Sequence, residues 1–151
     1  MADLNRTARD LVDEALKLLL DKDMAGFAAL WAVDGVLEFP FAPAGYPRQL
    51  AGRQAVREYL RDYPDQVDLR AITQRTVHQT EDPEVVVVEF EVDGIAVRTG
   101  RPYQLGYIAV ITARHGEIVR YRDYWSPLAA AEAMGGLDEL ASAFVGGDRR
   151  G

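Results

Sequence analysis

The chain has 151 residues, 48% of them hydrophobic, no cysteine, and 17 basic against 24 acidic side chains for a formal charge of −7. That size supports one core and one domain. The acidic balance repels nucleic-acid backbones and anionic membrane surfaces, and the lack of cysteine removes disulfides, thiolate nucleophiles and Cys-ligated zinc.

The start, MADLNRTARDLVDEALKLLL, scatters charges among its apolar positions and does not read as a signal peptide. No run approaches the ~18 apolar residues of a membrane span, so a soluble, cytoplasmic protein is expected. Leu11, Val12, Ala15, Leu16, Leu18 and Leu19 predict a helix over 7–22. Asp23 caps a shorter second helix through Phe27, Leu30 and Trp31, and Asp34-Gly35 then turns the chain into a strand over 36–41. Pro40 and Pro43 confine that strand to an edge or to its first residues, and 42–52 reads as a loop. Ala55, Val56, Tyr59 and Leu60 predict a third helix over 53–62, ended by Pro64.

From Val67 the chain reads as β: a strand over 68–80, a turn at 81–84, the run VVVVEFEV, a turn at Asp93-Gly94, then IAVRT. TGRPYQ is a further turn or bulged corner. The stretch 105–113 is apolar on both faces and belongs in mid-sheet, and 114–117 is a hairpin turn. Helices over 128–134 and 137–145 follow, split by Gly135-Gly136, and GGDRRG is a frayed tail. The sum is α+β: one strongly curved antiparallel sheet, three N-terminal helices and a C-terminal helix, forming a cone with an inside. The domain core spans about 5–136, with the last helix and tail at 137–151.

Chemistry concentrates in the strand over 118–125. A period of two puts Val119, Tyr121, Asp123 and Trp125 on one face, and Ile118, Arg120, Arg122 and Tyr124 on the other. The arginines mark the second face as the wetter one. Asp123 is then a carboxylate between two aromatic rings on the more apolar face, where an unpaired charge costs several kcal/mol. Two readings stand. Asp123 is a general base or acid whose pKa is lifted by burial, or it is a structural residue bonded to a backbone N–H or an Arg.

The segments DGVLEFPFAPAGYPRQLAGRQAVREYL, TEDPEVVVVEF and HGEIVRYRDYWSPLAAAEAMGG resemble the polyketide-cyclase (SnoaL-like) branch of the nuclear-transport-factor-2-like superfamily. Within it they are most similar to the phenazine-biosynthesis A/B type. The resemblance runs from the first helix to about Gly136. It implies a conical, cystatin-like α+β barrel, a homodimer whose sheets pack together, and an acidic general acid/base at the position of Asp123. It also carries departures. The base of ketosteroid isomerases falls at Phe39, and their two acidic oxyanion-hole positions fall at Ala15 and Ile108. The Arg and second Asp of the epoxide hydrolases fall on Phe90 and Val92, and the His and Ser of the phenazine proteins fall near Asp62 and Gln66.

The expected catalytic residues are therefore Asp123 and, if its strand phase turns it inward, His78 as proton partner; a half-exposed sheet His is the alternative. The expected substrate contacts are Trp125, Tyr121, Phe39, Trp31, Phe41, Ile108 and Tyr59, each of which would otherwise serve ordinary core packing. Tyr46 and Arg48 would cap the mouth. His115 sits in a turn, and two histidines without convergent acids make no metal site. The expected function is a cofactor-independent cyclase, isomerase or dehydratase acting on a hydrophobic, polyketide-like or polycyclic carbonyl compound. A non-catalytic small-molecule-binding or dimerisation module and an epoxide hydrolase or epoxide-opening cyclase are the alternatives.

Overall fold

The structure is a computed structural model that describes residues 4–145, so the tail at 146–151 lies outside the described residues. Thr7 opens α1 (Ala8–Leu20): its hydroxyl accepts from the Asp10 N–H, and the Asp10 carboxylate accepts from the Thr7 N–H. This reciprocal cap satisfies two donors a helix start leaves orphaned. The predicted stripe is buried through Leu11, Val12, Ala15 and Leu16. Asp23 caps α2 (Met24–Ala28) by accepting from Gly26 N–H.

The chain enters β1 (Trp31–Glu38) earlier than its periodicity predicts, so Trp31 is strand rather than helix. Asp34-Gly35 lies within β1, where the ladder shifts between Trp31 and Val36. The glycine answers a close approach: a Cβ on Gly35 would stand 2.6 Å from the Ile118 carbonyl oxygen. The strand ends at Glu38, short of the expected 36–41.

The remaining elements are β2 (Gln49–Ala51), α3 (Arg53–Leu60), the single turn α4 (Tyr63–Gln66), β3 (Val67–Gln79), β4 (Val85–Ala96), β5 (Pro102–Arg114), β6 (Glu117–Trp125), α5 (Pro127–Met134) and α6 (Leu137–Val145). The six strands form one curved open sheet in the order β2-β1-β6-β5-β4-β3. All pairs are antiparallel except β1 with β6, which is parallel. The purely antiparallel sheet expected above is thus corrected. β6 returns beside β1 only after the long excursion through α3, α4 and four strands, the kind of connection that parallel neighbours require.

The turn expected at Asp93-Gly94 is also absent: β4 runs through it and reverses only at 97–101. Gly94 again serves an approach of backbones. A Cβ there would lie 2.3 Å from the Asp68 carbonyl oxygen, opposite the irregularity in β3 between Leu69 and Ala71.

The core fills the space between one face of this sheet and the helices. Val86, Val88, Phe90 and Val92 alternate inward along β4, as do Ala109, Ile111 and Ala113 along β5. Ser126 caps α5 by accepting from Ala129 N–H, with Pro127 in the first turn. Gly135, at φ +101°, ends it in the left-handed conformation that a glycine adopts without strain. Among the described residues no helix is long and apolar enough to cross a membrane.

Candidate functional site

The strand that carries Asp123 is irregular. Ile118 pairs with Ala113 and Arg120 with Thr112, which leaves Val119 as an extra residue without a partner on β5. Such a bulge shifts the side-chain phase by one. Ile118 and Tyr121 are therefore both buried, and Val119 does not share the face of Tyr121 as strict alternation predicts. From Tyr121 onward the predicted phase holds, and Tyr121, Asp123 and Trp125 all line a cavity between sheet and helices.

That cavity has a volume of about 100 Å³. Its floor comes from β1, β4, β5 and β6, and its walls come from α1 through α4, the loop after β1, and the last two helices. Six of the seven tyrosines line it: Tyr46, Tyr59, Tyr63, Tyr103, Tyr107 and Tyr121. Among the described residues Asp123 is the one charged side chain in the lining, which contains no Lys, Arg or His.

Asp123 keeps some exposure as a residue, but its Oδ1 is sealed from solvent and has no hydrogen-bond partner among the described residues. Loss of hydration penalises the carboxylate, and burial pushes its pKa up to about 7. Among the described residues neither an Arg nor a backbone N–H bonds to that oxygen. Around it Tyr103 Oη and Tyr107 Oη are 2.8 Å apart, and the Tyr63 hydroxyl hydrogen-bonds with both. Burial first, and the neighbouring Asp123 charge as well, hold Tyr59, Tyr63, Tyr103, Tyr107 and Tyr121 above the usual phenol range. These hydroxyls stay protonated near neutral pH and can donate hydrogen bonds to a developing negative charge.

The packing fixes these groups. Phe90 stacks on Tyr107 with centroids 5.2 Å apart, Phe39 meets Tyr59 at 5.5 Å, and Tyr46 meets Trp125 at 5.7 Å. Of the residues expected from sequence, Asp123, Trp125, Tyr121, Phe39 and Tyr59 are brought together here.

Four others are not. His78 lies on the opposite face, half-exposed, with Nε2 2.7 Å from Glu89 Oε2, because Val77 takes the inward phase of β3. It cannot serve as Asp123's proton partner. Trp31 is fully buried beneath the cavity wall and stacks on Tyr121 at 5.3 Å without reaching the lining. Phe41 and Ile108 are exposed and border a shallow groove on the outer face of the sheet, where Phe41 meets Tyr124 edge-on. Phe90 and Val92 do face the cavity, so β4 contributes no second acid.

Tyr63, Tyr103 and Tyr107 were not legible as site residues. Pro64 and Pro102 read as punctuation, yet Pro64 sits inside the first turn of α4 and Pro102 begins β5. Carrying the alternation of Ala109 and Ile111 back through Tyr107 and Leu105 to Tyr103 would have found two of the three.

The SnoaL-like domain family matches residues 12–121. The chain belongs to that family. The match ends at Tyr121, just before the carboxylate of this SnoaL-like protein. A PhzA/B-like protein of Pseudomonas aeruginosa is 35% identical over 139 residues, covering 92% of this chain and 98% of its own. A Bacillus subtilis crystal structure provisionally named an isomerase superposes with a TM-score of 0.83 at 43% identity, over 85% of this chain and 93% of that one. A Pseudomonas putida structure provisionally named a polyketide cyclase shares the fold, with a TM-score of 0.73 at 22% identity over 85% and 98% of the two chains.

Proposed function

We propose that this SnoaL-like protein is a cofactor-independent acid/base enzyme of the isomerase or cyclase type, acting on a hydrophobic carbonyl compound. The observation that carries the reading is Asp123: a carboxylate without a partner at Oδ1, alone among aromatic side chains, with a pKa near neutrality. A general base works best when its pKa lies near the working pH. Asp123 would take a proton from the carbon next to a carbonyl and return it at another atom of the same molecule. The protonated hydroxyls of Tyr63, Tyr103 and Tyr107 would face the oxygen on which charge develops. Burial strengthens both contributions, since there is no bulk water to screen them.

The volume of the cavity restricts the reacting part to one ring or a short chain. A polycyclic substrate would therefore leave most of its body outside the mouth. The test is exchange of carbonyl-adjacent protons in heavy water, followed by NMR over a panel of small cyclic ketones and 1,3-dicarbonyls. Catalysed exchange is expected, with a rate lower by roughly two to four orders of magnitude in Asp123→Asn and with binding retained. Binding without exchange throughout the panel would replace this reading with that of a non-catalytic binding module.

We propose in addition that two copies pair through the outer face of the sheet, where Phe41 and Ile108 stand exposed. Sedimentation showing a monomer at micromolar concentration would overturn this.

A further inference from the structure

We propose that the same cavity is a receptor for a small organic cation, an alkylammonium head no larger than a benzene ring. The inference does not rest on the proton-transfer reading. Cation binding uses the charge of Asp123, whereas the proposed reaction uses its basicity.

Three features of the lining lead to it. The first is electrostatic: among the described residues one carboxylate and no basic side chain line the cavity, so the ionised site holds a negative charge that an incoming cation would neutralise. The second is the walls. Phe27, Phe39, Phe90 and Trp125 join the six tyrosines around that carboxylate, and the faces of such rings attract ammonium groups, most strongly where water is excluded. The third is the orphaned Oδ1 of Asp123, which is sealed from solvent and accepts from no donor among the described residues. A primary ammonium supplies the missing N–H and the missing charge together, a neutral alcohol supplies only a donor, and a carboxylate supplies neither.

Size sets the upper limit. An apolar cavity of about 150 Å³ holds benzene, and this one measures about 100 Å³. A two-carbon ammonium fits that limit.

Affinity for the cation should follow the ionisation of Asp123 alone. The titratable groups facing it are Tyr46 from the loop after β1, Tyr59 from α3, Tyr63 from α4, Tyr103 and Tyr107 from β5, and Tyr121 from β6. Burial holds all of them protonated through the neutral range. The lining residues from α1, α2, β1, β4, α5 and α6 carry no ionisable group.

The experiment is a calorimetric or NMR titration of the full chain with ethylammonium, with ethanol as its neutral counterpart of the same shape, and with acetate as the anion. At pH 8 the ammonium is expected to bind at least about tenfold more tightly than the alcohol, and acetate is expected not to compete. Between pH 8 and pH 6 the preference for the ammonium should shrink by about tenfold, as protonation removes the charge. Asp123→Asn should abolish the preference while keeping the alcohol's affinity. Should that variant not fold, the comparison on the native chain decides. Equal binding of ammonium and alcohol at pH 8, or a preference that does not change with pH, overturns the inference. Proton exchange on ketones without ammonium selectivity would sink this inference and leave the enzyme reading, and selectivity without exchange would do the reverse.

Discussion

The hydroxyl of Tyr46 donates to the main-chain carbonyl of Leu140 at 3.0 Å, a buried bond between residues 94 apart in sequence. Both residues line the cavity, so the loop after β1 and the last helix close over it as a joined pair. Tyr46→Phe keeps the ring against Trp125 and deletes only this tie. A loss of about 1 kcal/mol is expected, concentrated in α6, where amide hydrogen exchange should speed up relative to the central strands. Unchanged protection of α6 would mean that the helix is held by its apolar packing alone.

Asp123 should make stability depend on pH in an unusual direction for a carboxylate. Its folded pKa of about 7 stands above the ordinary 3.8, so the folded state holds a proton that the unfolded state has lost. The associated stability is complete below about pH 4, declines as pH rises toward 7, and is absent above it. Asp123→Asn removes the penalty for burying the charge. Denaturant titrations should show the variant gaining on the native chain from acid to alkaline pH, by up to roughly 4 kcal/mol. Parallel curves would place the carboxylate in contact with water.

His78→Ala offers the contrasting case. The imidazole pairs with Glu89 on the outer face at about half exposure, and exposed pairs contribute ~1 kcal/mol at most. Ligand binding and proton exchange should stay at native levels, and the midpoint of denaturation should move little. A large fall in exchange rate would return this histidine to the reaction.

Gly94→Val tests the close approach of β3 and β4. The added side chain would begin 2.3 Å from the Asp68 carbonyl oxygen, and backbone yields far less readily than a side-chain tip. The two strands must separate locally, at an expected cost of about 2 kcal/mol or more. Thermal melts of the variant beside Gly106→Val would show whether the cost is specific, because a Cβ at Gly106 meets only the Glu91 side chain, at 3.9 Å.

The legible parts of this chain were those whose cause is local. Asp23 caps the helix it precedes, and the apolar stripe of α1 and the alternation of β4 have the burial their periods predict. The misreadings share a different cause. Asp34-Gly35 and Asp93-Gly94 have the composition of turns, but their glycines answer to a neighbouring strand's backbone, which no short window contains. The site was half legible for the same reason. Asp123, Tyr121 and Trp125 lie on one strand and could be grouped by phase, whereas Tyr63, Tyr103 and Tyr107 meet only because α4 and β5 converge in space. Trp31, Phe41 and Ile108 have the right chemistry, and only their three-dimensional placement removes them from the cavity.

The unpaired Val119 acts as a proofreading device for the cavity. Were the strand to slip by one residue and absorb it into the ladder, every side chain beyond would exchange faces. Asp123 would leave for solvent, and Arg120 and Arg122, which now pair outside with Glu38, would swing into an interior that holds no anion to receive them. Burying two unpaired guanidiniums is prohibitively costly, so the arginines flanking the carboxylate exclude the competing register. The same alternation that places an acid inside thus guards, through its outward neighbours, against the one pairing error that would erase the site.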